Sequence, residues 1–216
     1  MRITGGQFGG RNLKVPKTDA IRPTQDRVRE ALFNILAPEI AGADFLDLFA
    51  GCGAVGIEAL SRGAKSVTFV EKERRHAAVL RENLAVLQSG SGLLTASKKE
   101  QGLYALILAD CYRFISTYSG PGFSIAFADP PYALGEEKGY AQVLATLAAR
   151  GVVRPNGLFI AEMTAVQRAE ETPGWDLLRD RTYGKTRLCI WRRVSDFASA
   201  ANFPFTVQSE TDTIHD

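Results

Sequence analysis

The 216-residue sequence predicts an α/β fold, with a seven-stranded, mostly parallel sheet, helices on both of its faces and an antiparallel hairpin at one edge. Three observations support this prediction. Short apolar segments alternate with segments of helical periodicity, as in parallel sheets whose crossovers are helices. A glycine-rich turn joins the first strand to the helix after it. The last two strand segments are closely spaced, which favours an antiparallel pair.

The helix before the first strand is predicted from apolar residues at helical spacing. These residues are Val28, Ala31, Leu32, Ile35 and Leu36. Thr24 is its candidate N-cap, and Asp26 in the first turn favours a helix start there. The helix is expected to end before Pro38, because proline lacks the backbone N–H that a helix interior needs.

The remaining elements follow in order. Strands are predicted at residues 45–49, 66–70, 103–109, 125–128, 158–161, 177–181 and 187–194. Helices are predicted at residues 55–61, 73–87, 112–118 and 136–149. The segment 88–102 is interpreted as a loop insertion, because it is rich first in Ser and Gly and then in Lys and Glu.

Composition excludes several classes of protein. No apolar run approaches the roughly 18 residues that cross a bilayer, and the first residues lack the apolar segment of a signal peptide. Cys52, Cys111 and Cys189 are too few and too far apart for a disulfide framework or a zinc site. These features favour a cytoplasmic protein without a bound metal.

Basic residues cluster near both ends of the chain, although the formal net charge is only +2. The first cluster comprises Arg2, Arg11, Lys14, Lys17, Arg22, Arg27 and Arg29, and the second comprises Arg179, Arg181, Lys185, Arg187, Arg192 and Arg193. Such clusters can bind nucleic-acid phosphates. An ordinary solvated surface gives the same pattern, so charge alone leaves both interpretations open.

Glycines follow the first predicted strand. Gly51, Gly53 and Gly56 match the pattern G-x-G-x-x-G, which also occurs in dinucleotide sites. Asp47 lies four residues before the first of them. A carboxylate there suits a ligand that carries an amino group and no pyrophosphate, such as the methionine end of S-adenosylmethionine. The glycines would let that ligand lie against the backbone.

Acidic residues end the next two strands. Glu71 lies 20 residues after Gly51, the spacing expected of a carboxylate that accepts both hydroxyls of a ribose. Because NAD carries the same ribose, Glu71 does not separate the two cofactors. Asp110 follows the third strand, where it could meet an adenine amine or cap the next helix.

The segment Asp129-Pro130-Pro131-Tyr132 after the fourth strand is the most specific signal. Its prolines make a rigid turn. The Asp129 carboxylate and the Pro130 carbonyl can each accept one N–H of an exocyclic base amine, whose lone pair is otherwise delocalised into the ring. These acceptors orient the nitrogen and stabilise the charge that develops as it attacks a methyl group. Tyr132 would stack on the base.

With these motifs the chain resembles the RsmD family, whose members methylate guanine N2 in bacterial small-subunit (16S) ribosomal RNA. The resemblance covers residues 2 to about 194. It is carried by Arg2-Ile3-Thr4-Gly5-Gly6, Gly10-Arg11-Asn12-Leu13, Arg22-Pro23-Thr24, Asp26–Asn34, Gly56–Ala64 and the glycine and D-P-P-Y motifs. It implies a Rossmann-like class I methyltransferase, dependent on S-adenosylmethionine, in which residues 41–195 are catalytic. Residues 1–40 would form a small basic RNA-binding extension and helix, and residues 196–216 a tail.

The resemblance also implies site residues. The catalytic residues would be Asp129, Pro130, Pro131 and Tyr132. The cofactor would be held by Asp47, Phe49, Gly51, Gly53, Glu71, Lys72, Asp110, Cys111 and Asp129. RNA would be bound by Arg2, Arg11, Arg22, Thr24 and Arg27. The expected partner is ribosomal RNA, free or in an assembling small-subunit particle, and the expected state is a monomer without membrane or metal.

Three alternatives remain. DNA adenine-N6 methyltransferases also use D-P-P-Y, although this chain shows no evident target-recognition domain between its motifs. A nucleotide-binding oxidoreductase would use the glycines but has no need of D-P-P-Y. A non-catalytic RNA-binding protein could retain the fold. His76 lies in a charged segment and is expected to be solvated rather than catalytic.

Overall fold

The structure, a computed structural model, describes residues 1–16, 23–90, 103–130 and 140–195, and the side chains of 23–25 and 86–90 are left aside. Its helices are α1 (Pro23–Ile40), α2 (Ala54–Ser61), α3 (Arg74–Gly90), α4 (Cys111–Thr117) and α5 (Ala141–Ala149), with a short 3-10 helix at Gly6–Phe8. Its strands are β1 (Asp44–Asp47), β2 (Ser66–Glu71), β3 (Tyr104–Leu108), β4 (Phe123–Ala128), β5 (Val153–Thr164), β6 (Trp175–Tyr183) and β7 (Thr186–Arg193).

The strands form one sheet in the order β3-β2-β1-β4-β5-β7-β6. Strands β1 to β5 are parallel, whereas β7 lies antiparallel to both β5 and β6. The predicted fold class and the antiparallel edge hairpin are therefore confirmed. The strand order reverses beside β1, so the carboxyl ends of β1 and β4 border the crevice in which open α/β sheets bind ligands.

Two apolar cores cover the two faces of the sheet. One includes side chains of α1, α2 and α3, and the other includes side chains of α4 and α5. The strand residues alternate between these cores. Phe45, Phe69, Phe127 and Ile160 pack into the first core, and their chain neighbours pack into the second. None of the helices in the described parts of the chain has the length and apolar character that crossing a bilayer requires.

Several predicted boundaries are wrong. Strand β5, predicted at 158–161, spans Val153–Thr164. Three further differences concern α1 and α3. Helix α1 begins at Pro23, so Thr24 lies inside it rather than at its N-cap. The helix also continues through Pro38 to Ile40, which is 3% exposed. Burial of the Ile40 side chain, worth roughly 2 kcal/mol, offsets part of the cost of a proline in the last turn. Helix α3 continues to Gly90, so residues 88–90 are not loop, and residues 91–102 lie outside the described part.

The N-terminal segment is held against α2 by a buried carboxylate. Glu58, which is fully buried, accepts hydrogen bonds from the backbone N–H groups of Thr4 and Gly5, both at 2.8 Å. It also pairs with Arg62 at 2.8 Å and with Arg29 at 3.5 Å. Because a buried carboxylate is costly unless it is paired and hydrogen-bonded, these contacts make the segment part of the folded domain.

Candidate active site

The glycines of the turn after β1 are required by backbone conformation and by close packing. Gly53 has φ of +86°, and a Cβ there would lie 2.1 Å from the Leu80 side chain. A Cβ on Gly56 would lie 2.2 Å from the ring of Phe69 on β2. Gly51 also has a positive φ, but a Cβ there would meet nothing within 4 Å. The turn therefore packs closely against α3 and β2 and leaves open space above Gly51, where a ligand could lie against the backbone.

Asp47 lies beneath this turn at the end of β1. It is 1% exposed, and its carboxylate accepts the N–H of Gly56 at 3.0 Å. Burial raises the pKa of Asp47 to about 7, the Gly56 hydrogen bond opposes this rise, and the charges of Asp129 and Glu71 add to it. No Lys or Arg of the described residues forms an ion pair with Asp47. A cationic ligand group is therefore the partner that would stabilise its ionised form.

Glu71 ends β2 beside the same turn. Its two oxygens accept the N–H groups of Gly51 and Glu73, each at 2.7 Å. This side chain thus holds the first glycine in place, and one lone pair on each oxygen still allows a ribose hydroxyl to bind. His76 is half-buried, and its Nδ1 lies 3.8 Å from Glu71. It is therefore not simply solvated, contrary to the expectation from its charged neighbours.

The other predicted cofactor residues surround the ends of β1 to β3. Asp110 caps α4 by accepting the N–H groups of Tyr112 and Arg113, as its alternative interpretation proposed. Lys72 is exposed and lies 3.6 Å from Asp110. Cys111 is 6% exposed and its side chain packs in the second core, so only its backbone could face a ligand.

Phe49 completes this set of predicted cofactor residues. It is half-buried, with its ring edge-on to Tyr112 at a centroid distance of 6.5 Å. Tyr112 lies in the first turn of α4, directly after Asp110 and Cys111. This ring pair therefore connects the turn after β1 to the segment after β3, where the sequence predicts the adenine.

Asp129 and Pro130 follow β4 directly, and Asp129 is exposed. Their neighbours Pro131 and Tyr132 lie outside the described residues. A small pocket that is open to solvent lies beside Asp129. In the described part of the chain it is lined by Asp129, Pro130, Tyr140, Glu162, Met163, Thr164 and Gln167. Asp129 and Pro130 thus border this pocket, and the charge of Asp129 also contributes to the raised pKa of Asp47.

The carboxylates share one face of the sheet. Asp47, Glu71 and Asp129 each lie two residues beyond a strand residue that packs in the first core, so alternation directs them to the same side. The parallel register brings these strand ends to one edge. Within the described residues, no group of three or more His, Cys, Asp or Glu side chains is arranged to hold a metal ion.

The predicted RNA-binding residues differ in exposure. Arg2 and Arg27 are exposed, whereas Arg11 is half-buried with its guanidinium 5.1 Å from the Phe8 ring. Arg22 and the Thr24 side chain lie outside the described part. Arg29, counted from sequence in the same basic cluster, is 4% exposed and pairs with Glu58 and Asp26. It therefore supports the fold and does not face RNA.

Asn83 is a site residue that the sequence analysis missed. Its side chain, 2% exposed, donates to the carbonyls of Cys52 in the glycine turn and Lys14 in the N-terminal segment. It also accepts the N–H of Lys14 at 2.8 Å. Asn83 lies at helical spacing on the face of α3 that buries Leu80 and Leu84. An amide on an otherwise apolar face is a signal that could have identified it.

We expect an Asn83→Ala variant to lower the free energy of unfolding by about 2–3 kcal/mol, because it leaves buried backbone groups without partners. The variant should also weaken binding of the ligand expected at the glycine turn, S-adenosylmethionine. The matched control is Glu82→Ala, since Glu82 contacts the same Lys14 through an ion pair whose side chains are 64% and 55% exposed. Exposed pairs contribute about 0–1 kcal/mol. Denaturant unfolding and calorimetric titration measure both effects, and equal losses in the two variants would contradict the role of Asn83.

Comparisons with known proteins identify the family of this chain. The family model described as "Conserved hypothetical protein 95" matches residues 1–192. Ribosomal RNA small subunit methyltransferase D of Escherichia coli K12 is 34% identical over 203 residues, which is 94% of each chain. The protein of the same name from Haemophilus influenzae is 35% identical over 85% of this chain and 89% of its own.

A solved structure shares the whole fold. The yhhF protein of Escherichia coli, a candidate methyltransferase, is 34% identical with a TM-score of 0.74 over 90% of this chain and 98% of its own. The family model and these relatives thus cover nearly all of the chain, and the solved structure shares its fold over 90% of the chain. The chain belongs to the RsmD family of methyltransferases.

Proposed function

We propose that this protein transfers a methyl group from S-adenosylmethionine to the exocyclic N2 amine of a guanine in bacterial 16S ribosomal RNA. One observation carries the proposal. Asp129 and Pro130 line a pocket just beyond the end of β4, and the charge of Asp129 acts on the Asp47 carboxylate, which lies at the same edge of the sheet as the glycine turn. Family membership supports the substrate, since two relatives are named ribosomal RNA small subunit methyltransferase D.

The residues at this edge fit the cofactor. S-adenosylmethionine, when bound, supplies a methyl group on an electron-deficient sulfur. Asp47 would accept its ammonium group, whose charge offsets the cost of a buried carboxylate. The open space above Gly51 would admit the methionine end against the backbone, and Glu71 would accept the ribose hydroxyls. Asp110, together with the neighbouring Phe49, Lys72 and Cys111 backbone, would border the adenine.

The catalytic turn would act on the base by position and charge. Asp129 and the Pro130 carbonyl would each accept one N–H of the amine, which holds the nitrogen lone pair towards the methyl group. The bound cofactor would supply the methyl group to this nitrogen, and the electrons of its C–S bond would remain on sulfur. The amine gains positive charge, which Asp129 stabilises until one proton leaves to that carboxylate or to water. Pro131 would keep this turn rigid and Tyr132 would stack on the base.

The RNA itself would be held by exposed arginines of the N-terminal segment and α1. Arg2 and Arg27 are exposed, so they can contact phosphates, and Arg11 is half-buried. Arg22 and Thr24 are proposed to complete this surface. The division into an RNA-binding extension at 1–40, a catalytic domain at 41–195 and a tail at 196–216 belongs to the same proposal. So do a monomeric state, cytoplasmic action and a substrate in the form of an assembling particle.

The test is transfer of labelled methyl from S-adenosylmethionine to small-subunit ribosomal RNA, offered free and in ribosomal particles, followed by nucleoside analysis. The expected product is N2-methylguanosine. Label in N6-methyladenine when DNA is offered, with none in RNA, would support the DNA methyltransferase alternative instead. Binding of RNA without transfer to either substrate would support the non-catalytic alternative.

A further inference from the structure

A second acidic residue, Glu162, lines the pocket beside Asp129, and none of the site predictions includes it. Ala128 of β4 pairs with Ala161 of β5 in the parallel register. The residues that follow them, Asp129 just beyond the end of β4 and Glu162 in β5, are therefore neighbours across the two chain segments. Their backbones are expected to lie roughly 4.8 Å apart. Register alone thus brings a second acidic side chain to the catalytic turn.

Both side chains also lie on the same face of the sheet. Phe127 and Ile160 pack in the first core, and Asp129 and Glu162 each follow one of them by two residues. Glu162 is half-buried, whereas the four residues before it are buried. It is thus the first residue of β5 after this buried run that reaches the open edge beside Asp129.

The pocket wall around Glu162 is held in place by its neighbours. The hydroxyl of Tyr140, which is 8% exposed, donates to the backbone carbonyl of Glu162 at 3.1 Å. Gln167 accepts hydrogen bonds from the backbone N–H and the hydroxyl of Thr164, at 2.8 and 3.1 Å. Strand β5 is also paired with β7 through this region. A wall fixed in this way can select a ligand by hydrogen-bond geometry.

The acceptors near Asp129 can be matched to the hydrogen-bond donors along one edge of guanine. Beside the N2 amine, guanine presents a second donor, N1–H. Asp129 and the Pro130 carbonyl account for the two hydrogens of the amine, which leaves N1–H without an acceptor. Adenine presents an unprotonated N1 beside its own amine, so a carboxylate there would repel it. Acceptors on two adjacent strands therefore match two adjacent donors of guanine and no such pair on adenine.

We propose that Glu162 is a specificity-determining residue that accepts the N1–H of the target guanine. This inference rests on the proposed guanine-N2 reaction and adds a residue that selects the base. Loss of the acceptor should reduce kcat/KM for guanosine. A donor in its place should raise kcat/KM for a base whose N1 is an acceptor.

The test uses Glu162→Gln and RNA in which the guanosine methylated by the wild-type enzyme is replaced by 2-aminopurine. This base keeps the N2 amine but has an unprotonated N1. The wild-type enzyme should prefer guanosine by about 10- to 100-fold in kcat/KM. The Glu162→Gln variant should have a lower kcat/KM for guanosine. Its ratio of kcat/KM for guanosine to that for 2-aminopurine should fall towards or below one, because the glutamine amide can donate to N1 of 2-aminopurine. Glu170→Gln, the same change at an exposed position, is the control and should behave as the wild type.

The possible results distinguish a failure of the role proposed for Glu162 from a failure of the proposed reaction. S-adenosylmethionine affinity is measured for each variant and should be unchanged, which shows that the variant is folded. Equal losses on guanosine and 2-aminopurine, or an unchanged guanosine rate, would overturn the role of Glu162 while the reaction stands. Absence of N2-methylguanosine with the wild-type enzyme would overturn the proposed function, and this inference with it.

Discussion

Replacement of Asp129 by Ala is expected to reduce methyl transfer by about 10³-fold or more while S-adenosylmethionine affinity changes by less than about threefold. The first effect follows because the variant removes the charged acceptor that orients the amine and stabilises its developing charge. The second follows because Asp129 is exposed beyond the end of β4, so Asp47 and the glycine turn, rather than Asp129, are expected to contribute most of the cofactor affinity. Single-turnover transfer of labelled methyl and calorimetric binding measure the two quantities separately.

The matched control is Asp44→Asn, at the opposite end of the sheet. Asp44 begins β1 and accepts the Ser66 hydroxyl at 2.7 Å, a hydrogen bond that Asn can keep. This variant should transfer methyl at the wild-type rate. An Asp129→Ala variant that retains a substantial rate would show that the Pro130 carbonyl and base positioning suffice. The catalytic assignment of Asp129 would then be wrong.

Replacement of Asp47 by Asn is expected to weaken S-adenosylmethionine binding by about 100-fold or more and, at pH 8, to stabilise the protein without cofactor. Both effects follow from the charge of this carboxylate, which is 1% exposed. Ionised Asp47 is the expected partner of the cofactor ammonium group, and without the cofactor its buried charge is costly. A pKa raised to about 7 corresponds to at most about 4 kcal/mol. Asn can still accept the Gly56 N–H, so a gain of about 1–3 kcal/mol in the free energy of unfolding is expected.

The sign of the pH dependence follows from the same pKa. An unfolded Asp loses its proton near pH 4, whereas folded Asp47 keeps its proton until about pH 7. Between these values the folded state binds more protons, so the stability of the cofactor-free protein falls as the pH rises through this window. Above about pH 7 the full cost remains. Urea unfolding of wild type and Asp47→Asn between pH 4 and 8 should show this slope only in the wild type.

Cofactor binding should depend on pH in the opposite direction. The ammonium group needs ionised Asp47, so affinity should fall by up to about tenfold per unit as the pH drops below about 7. Binding near neutral pH should release a proton, which calorimetry in buffers of different ionisation enthalpy detects. A wild-type affinity that is constant between pH 5.5 and 7.5 would be incompatible with this role of Asp47.

Local patterns were sufficient for the elements that are proposed to hold the cofactor. Short apolar runs between helical segments identified the strands, because inner strands such as β4 bury both of their faces. The glycines after β1 were identified because the turn needs positive φ at Gly51 and Gly53, which other residues rarely adopt. The acids Asp47 and Glu71 were identified because parallel strands end at one edge, where ligands bind.

Other features depend on contacts between distant parts of the chain. The position of Glu162 beside Asp129 follows from the register of β4 and β5, which sequence periodicity does not specify. Arg27 and Arg29 cannot be distinguished by their sequence context. Of these two, only Arg29 pairs with the buried Glu58 in the structure. Asn83 joins the glycine turn to the N-terminal segment through hydrogen bonds across 31 and 69 residues.

The sequence by itself determined the fold class, the family and the carboxylates at the strand ends, because periodicity, turn conformation and motif chemistry are local properties of the chain. The tertiary structure alone decided which polar groups became buried, which of them paired and which side chains shared the pocket with Asp129. Those outcomes depend on strand register and on desolvation. Both arise only when segments far apart in sequence pack together.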